Sequence, residues 1–381
     1  MLLSFISKRS IIPTFSQSFI KNTIIHTTRS FSSTNYNSNS YTSSSSNSSG
    51  SSSSWNSNGG DKSYSTSSTN PSSSQPPAST SASLNYDSAL TTFNICNIAV
   101  AYQPKNRKPS TNLFKKKNNT AALDSPTGED NLFVTKQIKD GSIAIGVADG
   151  VGGWSEAGYD SSAISRELCS HMKYNFENSK PDSSITPKSI LDESFKQILK
   201  SDKVEIGGTT ACLGIITTNL KLKVANLGDS WCGLFRDYKL IKETNFQTHN
   251  FNTPYQLAKI PQHILKKAEL EGRRYIIDSP NLADEYEWDL QKNDLIMFAT
   301  DGVTDNVIPQ DIEIFLKDEL GEANKSNKLD QVANKFVKEV VKVSKDSNYP
   351  SAFAQELSRL TGQKYLGGKE DDITIVLVKV L

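Results

Sequence analysis

Between residue 90 and the C-terminus, short apolar runs alternate with polar turns, a pattern typical of β-strands. Eight runs rich in β-branched and aromatic residues predict strands at residues 94–102, 131–136, 142–148, 209–217, 221–226, 231–235, 294–300 and 372–381. Five stretches with apolar side chains every three or four positions predict helices at residues 161–176, 189–199, 310–320, 329–345 and 351–360. Because the strands cluster without strict alternation with helices, the pattern favours an α+β fold with antiparallel sheets over a doubly wound parallel sheet.

The first ninety residues lack this pattern. Residues 1–30 interleave apolar side chains with Lys, Arg and hydroxyl groups, and the first acidic residue of the chain is Asp61. This pattern is typical of a mitochondrial transit peptide, which we expect over residues 1–35, although a basic disordered tail is the alternative. Residues 31–80 include 23 serines. A segment this polar cannot bury enough apolar surface to offset the conformational entropy that it would lose on folding. We therefore expect a Ser/Asn-rich disordered linker over residues 36–88 and one folded domain over residues 89–381.

Composition excludes several classes of protein. With 42 Lys and Arg against 41 Asp and Glu, the formal net charge is +1, so there is no general electrostatic case for binding nucleic acid. The four cysteines form no C-x-x-C pair, and we expect reduced, mostly buried thiols rather than a zinc site. No apolar run reaches the roughly 18 to 20 residues that span a bilayer, so no integral membrane span is expected.

Acidic residues fall at the ends of five predicted strands. Each one alone is consistent with an ordinary turn, but five such sites in one domain need a further explanation. If these strand ends meet at one edge of a sandwich, the carboxylates converge and repel one another unless cations are bound. Carboxylate oxygens suit Mg²⁺ or Mn²⁺. The sites are Glu129 with Asp130, Asp149, Asp229, Asp301, and Asp371 with Asp372.

The segments around these acids resemble, in order, the motifs of a known enzyme family. GED, VADGVGGW, GGTTA, ANLGDSW, ATDGVTDN and KEDDITIVLV are similar to successive motifs of the metal-dependent type 2C protein phosphatases, the PPM family. DGVGGW, FNTPYQLA (residues 251–258) and GGKEDDIT (residues 367–374) also resemble its mitochondrial subgroup. The resemblance implies a four-layer α-β-β-α sandwich, in which two antiparallel sheets are flanked by helices.

The resemblance also implies roles for individual residues. Asp149 corresponds to the aspartate that bridges two metal ions, and Gly150 to the glycine that offers its carbonyl; Asp301 and Asp371 correspond to further ligands. The implied reaction is in-line attack on phosphorus by a metal-activated water, with Asp149 and Asp301 as the catalytic residues and no phosphoenzyme. The remaining assignments are metal-bound waters at Glu129 and Asp130, and a third, weaker ion at Asp229 alongside Asp301.

The chain departs from the family pattern at two positions. The family has a His directly after the Asp-Gly pair, proposed as the acid that protonates the leaving oxygen, whereas this chain has Val151. The family's phosphate-binding Arg is missing from residues 118–128, and Arg107, or Arg273 with Arg274, are the alternatives; the substrate-binding residues are otherwise unknown. The segment 249–277 resembles a variable flap near the site, although a solvated basic helix and loop fits it equally well. We expect His171, His249 and His263 to be surface or packing residues.

Together these features predict a Mg²⁺/Mn²⁺-dependent protein serine/threonine phosphatase that acts on phosphorylated proteins of the mitochondrial matrix. The subgroup resemblance implies coenzyme Q biosynthesis as one target class. A catalytically inactive, phosphatase-like scaffold that binds phosphoproteins is one alternative, and the retention of Asp149, Asp301 and Asp371 argues against it. A hydrolase of small phosphate esters is the other, and the sequence does not distinguish it from a protein phosphatase.

Overall fold

The computed structural model describes residues 90–107, 125–179, 185–321 and 328–381; the predicted transit peptide and linker lie outside them. The described strands are β1 (Leu90–Thr92), β2 (Cys96–Gln103), β3 (Asp130–Val134), β4 (Ile143–Asp149), β5 (Gly207–Thr209), β6 (Ala211–Ile216), β7 (Lys221–Leu227), β8 (Trp231–Arg236), β9 (Lys239–Glu243), β10 (Thr248–Asn250), β11 (Thr253–Pro254), β12 (Leu257–Lys259), β13 (Asp284–Asp289), β14 (Leu295–Ala299) and β15 (Ile373–Val380). The described helices are α1 (Gly153–Glu156), α2 (Ser162–Glu177), α3 (Pro187–Lys200), α4 (Gln262–Leu270), α5 (Asp301–Thr304), α6 (Pro309–Leu320), α7 (Leu329–Ser344) and α8 (Ala352–Thr361), with a 3₁₀ turn at Pro280–Leu282.

Two antiparallel sheets form the centre of the domain. One has six strands in the order β1-β2-β15-β14-β8-β9, and the other has five in the order β13-β7-β6-β4-β3. The pairs β10–β11 and β12–β5 form two short additional ribbons. The long pairing of β2 with β15, from Cys96–Val380 to Gln103–Ile373, brings distant parts of the chain side by side.

Alternating side chains of each strand enter different cores, because successive residues of a strand point to opposite faces. In β14, Ile296 and Phe298 pack between the sheets, whereas Met297 packs beneath α6 and α7. In β4, Ile145 packs between the sheets and Ala144 packs beneath α2 and α3. The layers are therefore helix, sheet, sheet and helix, as the resemblance implied.

All eight predicted strands and all five predicted helices are present, with ends that differ by at most two residues. The predicted strand at residues 209–217 is divided at Thr210 into β5 and β6. The strands that the pattern did not predict include β9 and β13, which lie at sheet edges and carry charged side chains on their exposed positions. Edge strands of this kind lack the apolar alternation by which a half-buried strand is recognised.

The four cysteines, Cys96, Cys169, Cys212 and Cys232, are all free and buried, as predicted. Burial raises the pKa of the Cys96 thiol to about 12. Within the described residues, no helix combines the length and the apolar character needed to cross a membrane.

Candidate metal centre

Three aspartates meet where the two sheets come together. Asp149 is the last residue of β4, Asp229 lies in the turn between β7 and β8, and Asp301 begins α5 directly after β14. One carboxylate oxygen from each lies within 4.8 Å of the other two. Asp149 and Asp301 are buried, and Asp229 is half-buried. The predicted convergence of strand-end carboxylates is thus present for these three residues, which come from both sheets.

Further carboxylates surround this trio. Asp130 lies opposite Asp149 in the β3–β4 pairing, and its Oδ2 accepts a hydrogen bond of 2.7 Å from the Thr300 hydroxyl. The backbone amide of Glu129 donates to Asp372 Oδ2 at 2.9 Å. Since Thr300 follows β14 and Asp130 begins β3, these contacts join the two sheets at the site.

Two basic side chains from the segment after β2 enter the same region. Lys105 Nζ lies 2.8 Å from Asp371 Oδ1 and 3.5 Å from Glu129 Oε2. The Arg107 guanidinium donates to Glu129 Oε2 at 2.6 Å and to Asp372 Oδ1 at 2.7 Å. Of the arginines that the sequence offered for binding phosphate, the structure therefore brings Arg107 to the carboxylates.

The electrostatic environment differs between the two sides of the site. Burial raises the pKa of Asp130 well above its usual range, and the neighbouring Asp372 and Asp301 raise it further. Burial also raises the pKa of Asp305 to about 7, although Lys369 opposes the shift. Burial acts against ionisation of Glu129 too, but there Lys105, Arg107 and Ser161 outweigh it and lower the pKa. Basic side chains thus favour the charged form of Glu129, whereas burial favours the neutral forms of Asp130 and Asp305.

The residues present fit a divalent cation. The donors that converge are carboxylate oxygens, which are hard ligands and match Mg²⁺ or Mn²⁺ better than a soft metal. Burial is the main cause of the raised pKa values of Asp130 and Asp305, and bound cations would relieve the additional repulsion that each experiences from Asp301. Among the residues that the structure describes, Asp149, Asp229 and Asp301 are placed closely enough to share one site.

Gly150 permits a close approach of the backbone. Its amide donates to the Glu129 carbonyl at 3.1 Å. A Cβ at this position would lie 2.5 Å from that carbonyl oxygen and 2.7 Å from the carbonyl oxygen of Ser161. A larger residue would therefore push β4 away from β3 beside Asp149; the carbonyl contact of Gly150 with a metal stays a prediction.

Asp371 lies outside the trio, with its carboxylate beside Lys105. Sequence reasoning missed Lys105 and Lys369 and gave no role to Asp372 or Thr300. Lys105 reaches the site because Gln103 pairs with Ile373, which places the residues after β2 next to those before β15. That pairing joins segments more than 260 positions apart and leaves no local trace in the sequence.

The position of the missing family histidine is filled by a structural residue. The Val151 amide donates to the Gly208 carbonyl at 2.8 Å, and the side chain is half-buried.

His249 stacks on Tyr255 with ring centroids 4.2 Å apart, and its Nε2 lies 3.0 Å from Asp278 Oδ2. We expected a surface or packing residue here, and His249 is exposed and stacks on a neighbouring ring.

Comparisons with known proteins agree with the geometry. A family model described as stage II sporulation protein E (SpoIIE) matches residues 139–381. The chain is 53% identical over 287 residues to "Protein phosphatase 2C homolog 7, mitochondrial" of Saccharomyces cerevisiae, a match that covers 74% of this chain and 81% of that protein. It is 33% identical over 255 residues to "Protein phosphatase PTC7 homolog" of Xenopus laevis, covering 66% and 80% of the two chains.

The fold has a counterpart among solved structures. The photosystem II phosphatase PBCP superimposes with a TM-score of 0.59 at 24% identity, covering 75% of this chain and 99% of that one. The ordered motifs, the four-layer fold and these matches together lead to one assignment. The chain belongs to the metal-dependent type 2C (PPM) family of protein serine/threonine phosphatases.

Proposed function

We propose that this phosphatase removes phosphate from phosphoserine and phosphothreonine of mitochondrial proteins with Mg²⁺ or Mn²⁺ held at the edge where the two sheets meet. The observation that carries the proposal is the approach of Asp149, Asp229 and Asp301 to within 4.8 Å of one another from three separate elements. A binding scaffold has no need of such a cluster, because carboxylates that repel one another reduce stability when no cation is bound.

In this proposal Asp149 and Asp301 are the principal ligands, with Gly150, Asp371, Glu129 and Asp130 completing two sites and Asp229 serving a third ion beside Asp301. When bound, the cations activate water and stabilise charge on the phosphoryl oxygens. Thr300 orients Asp130 by donating to its carboxylate. Val151 carries no proton at neutral pH, so the leaving oxygen takes its proton from water or from another group.

Arg107 and Lys105 are the proposed cations for substrate phosphate. Both lie beside the acidic residues, and both keep their charge, since carboxylate neighbours outweigh burial and raise their pKa values. An incoming phosphate would compete with Glu129 and Asp372 for the Arg107 guanidinium, which suits bidentate contact with phosphate oxygens.

We place the enzyme in the mitochondrial matrix. The support is the transit-like composition of residues 1–35 and the similarity to a yeast relative named as mitochondrial. Phosphorylated matrix proteins are then the substrates, and the resemblance to the mitochondrial subgroup makes the enzymes of coenzyme Q biosynthesis one target class. Expression of residues 1–40 fused to a fluorescent reporter tests the location, and a cytosolic signal would contradict it.

Phosphate release from phosphoserine and phosphothreonine peptides by the purified full chain tests the activity. We expect release that requires Mn²⁺ or Mg²⁺, ends on addition of a chelator, and falls by at least about a hundredfold in Asp149→Asn and Asp301→Asn, because each loses a charged ligand. Asp294→Asn is the matched control. Asp294 is also a buried carboxylate, but it pairs with Arg236 at 2.8 Å, away from the trio.

Three outcomes separate the alternatives. Metal-dependent release from peptides supports a protein phosphatase. Release from p-nitrophenyl phosphate but from no peptide would instead favour an enzyme of small phosphate esters. Folded protein that binds Mn²⁺ and releases phosphate from neither substrate would favour the scaffold, with Val151 as the residue to examine next.

A further inference from the structure

The Lys369 side chain is a buried cation beside the candidate metal centre. It is 7% exposed, and its ammonium donates to Asp301 Oδ2 at 3.2 Å and, at closer range, to Asp305 Oδ2. Asp301 is the first residue of α5 and Asp305 directly follows its last residue, so the two carboxylates lie about one helical turn apart and repel each other. Lys369 therefore balances a pair of carboxylates, one of which belongs to the trio.

The backbone of Lys369 is fixed as well. Its amide donates to Asn306 Oδ1 at 2.9 Å, and the Asn306 side-chain amide donates back to the Lys369 carbonyl at 2.8 Å and to the Gly302 carbonyl at 2.9 Å. These bonds fix the backbone of Lys369 relative to α5. Any group that binds the Lys369 ammonium is therefore held close to α5 as well.

Those other contacts reach the tip of the hairpin formed by β10 and β11. Lys369 Nζ donates to Asn252 Oδ1 at 3.1 Å and lies 5.1 Å from the centroid of the Phe353 ring. Phe251, the other tip residue, packs on the same Phe353 ring with centroids 5.0 Å apart. Asn252 has a φ of 53°, a conformation that Asn, Asp and Gly tolerate better than other residues.

The base of the same hairpin contacts the turn that carries Asp229. The Gln247 amide donates to the Gly228 carbonyl at 2.9 Å, and the Tyr255 amide donates to the Gln247 carbonyl at 2.9 Å. The hairpin thus extends from the segment of one trio residue, Asp229, to the cation that contacts another, Asp301. Both of its ends therefore contact residues of the site, and Phe251 at its tip is partly exposed.

We propose that Lys369 is a positioning residue that fastens the hairpin Thr248–Pro254 to Asp301 and Asp305, and that the fastened hairpin is the wall against which the polypeptide around a phosphorylated residue binds. The second half of the proposal rests on the proposed phosphatase function. The first half concerns the folded chain alone.

Hydrogen exchange in the metal-free full chain tests the first half. Asn252→Gly removes the acceptor and keeps the backbone conformation, whereas Asn252→Asp keeps both an acceptor and that conformation. We expect amides of residues 247–255 to exchange about fivefold faster in Asn252→Gly and in Lys369→Met, and at the wild-type rate in Asn252→Asp, because only the first two lose the hydrogen bond to the ammonium.

A double variant separates the fastening from the added flexibility of glycine. If Lys369 acts through Asn252, Asn252→Gly with Lys369→Met exchanges no faster than Lys369→Met alone. Faster exchange in Asn252→Gly but not in Lys369→Met would overturn the proposal, and so would additive effects in the double variant. If Lys369→Met does not fold, Lys369→Gln, which removes the charge and shortens the side chain, replaces it in both the single and the double variant.

A comparison of substrates tests the second half. We expect the ratio of kcat/KM for a phosphoserine peptide to that for p-nitrophenyl phosphate to fall about fivefold in Asn252→Gly, mainly through KM for the peptide, and to be restored in Asn252→Asp. An unchanged ratio would overturn the specificity role. If the wild-type chain hydrolyses neither substrate, the proposed function fails, and the exchange experiment still tests the fastening independently.

Discussion

Gly302 shows how one missing methyl group keeps the site compact. It follows Asp301 in α5, and a Cβ at this position would lie 1.9 Å from the Asp372 carbonyl oxygen. That oxygen belongs to the backbone directly before β15, so it cannot move aside as a flexible side chain could. The Asp-Gly pair at residues 301–302 therefore reflects close packing of two site segments as well as the chemistry of the aspartate.

Gly302→Ala should lower the free energy of unfolding by about 3 kcal/mol, because the new methyl group overpacks a backbone contact. Gly272→Ala is the control. Gly272 has a φ of 67°, and a Cβ there would meet no atom within 4 Å, so the cost is limited to backbone strain of about 1 kcal/mol. Urea unfolding of both variants measures the difference, and equal effects would show that the contact with Asp372 is easily relieved.

At the scale of elements, the site depends on contacts between the two sheets. Thr300, at the end of β14, donates to Asp130 Oδ2 at 2.7 Å and accepts a hydrogen bond from the Thr374 amide at 3.1 Å. Asp130 begins β3 in the other sheet. The hydroxyl of Thr300 thus fixes the distance between two strand ends from which candidate ligands project.

Thr300→Val keeps the shape of the side chain and removes the donor to Asp130. We expect a loss of about 2 kcal/mol in the free energy of unfolding, since a buried carboxylate loses one of its hydrogen bonds. Thr92→Val, at an exposed position of β1, should change stability by less than about 0.5 kcal/mol. Thermal unfolding compares the two variants. A similarly small loss of stability in both would mean that Thr300 contributes little to the contact between the two sheets.

The limits of sequence reasoning follow from the same elements. β4, β14 and β15 were predicted because their apolar runs are continuous and are bordered by Asp or Thr. Asp149 and Asp301 were predicted because each abuts such a run, and Asp229 because it lies in a turn between two predicted strands. Lys105 and Lys369 were not, because their positions depend on pairings and turns between distant segments. A cation near a carboxylate in space has no fixed spacing from it in the chain.

At the scale of the whole molecule, the near-neutral net charge of +1 conceals a strongly acidic edge. Both sheets place the ends of strands at this edge, and the acids there come from segments between residues 129 and 372. The charges at this edge, rather than the net charge of the chain, determine which ions bind there. Exposed charges elsewhere on the protein have little effect, because salt at 0.1 M screens them within about 10 Å. The fold therefore gathers carboxylates at one edge of a chain whose overall charge shows no such bias.

Titration of the metal-stripped full chain with Mn²⁺ in a calorimeter tests this account most directly. We expect two ions to bind the wild-type protein, the tighter binding to be lost in Asp149→Asn, and Asp294→Asn to bind as the wild type does, because Asp294 pairs with Arg236 outside the cluster. An absence of Mn²⁺ binding by folded wild-type protein, or unaltered binding by Asp149→Asn, would contradict the assignment of this edge as the metal centre.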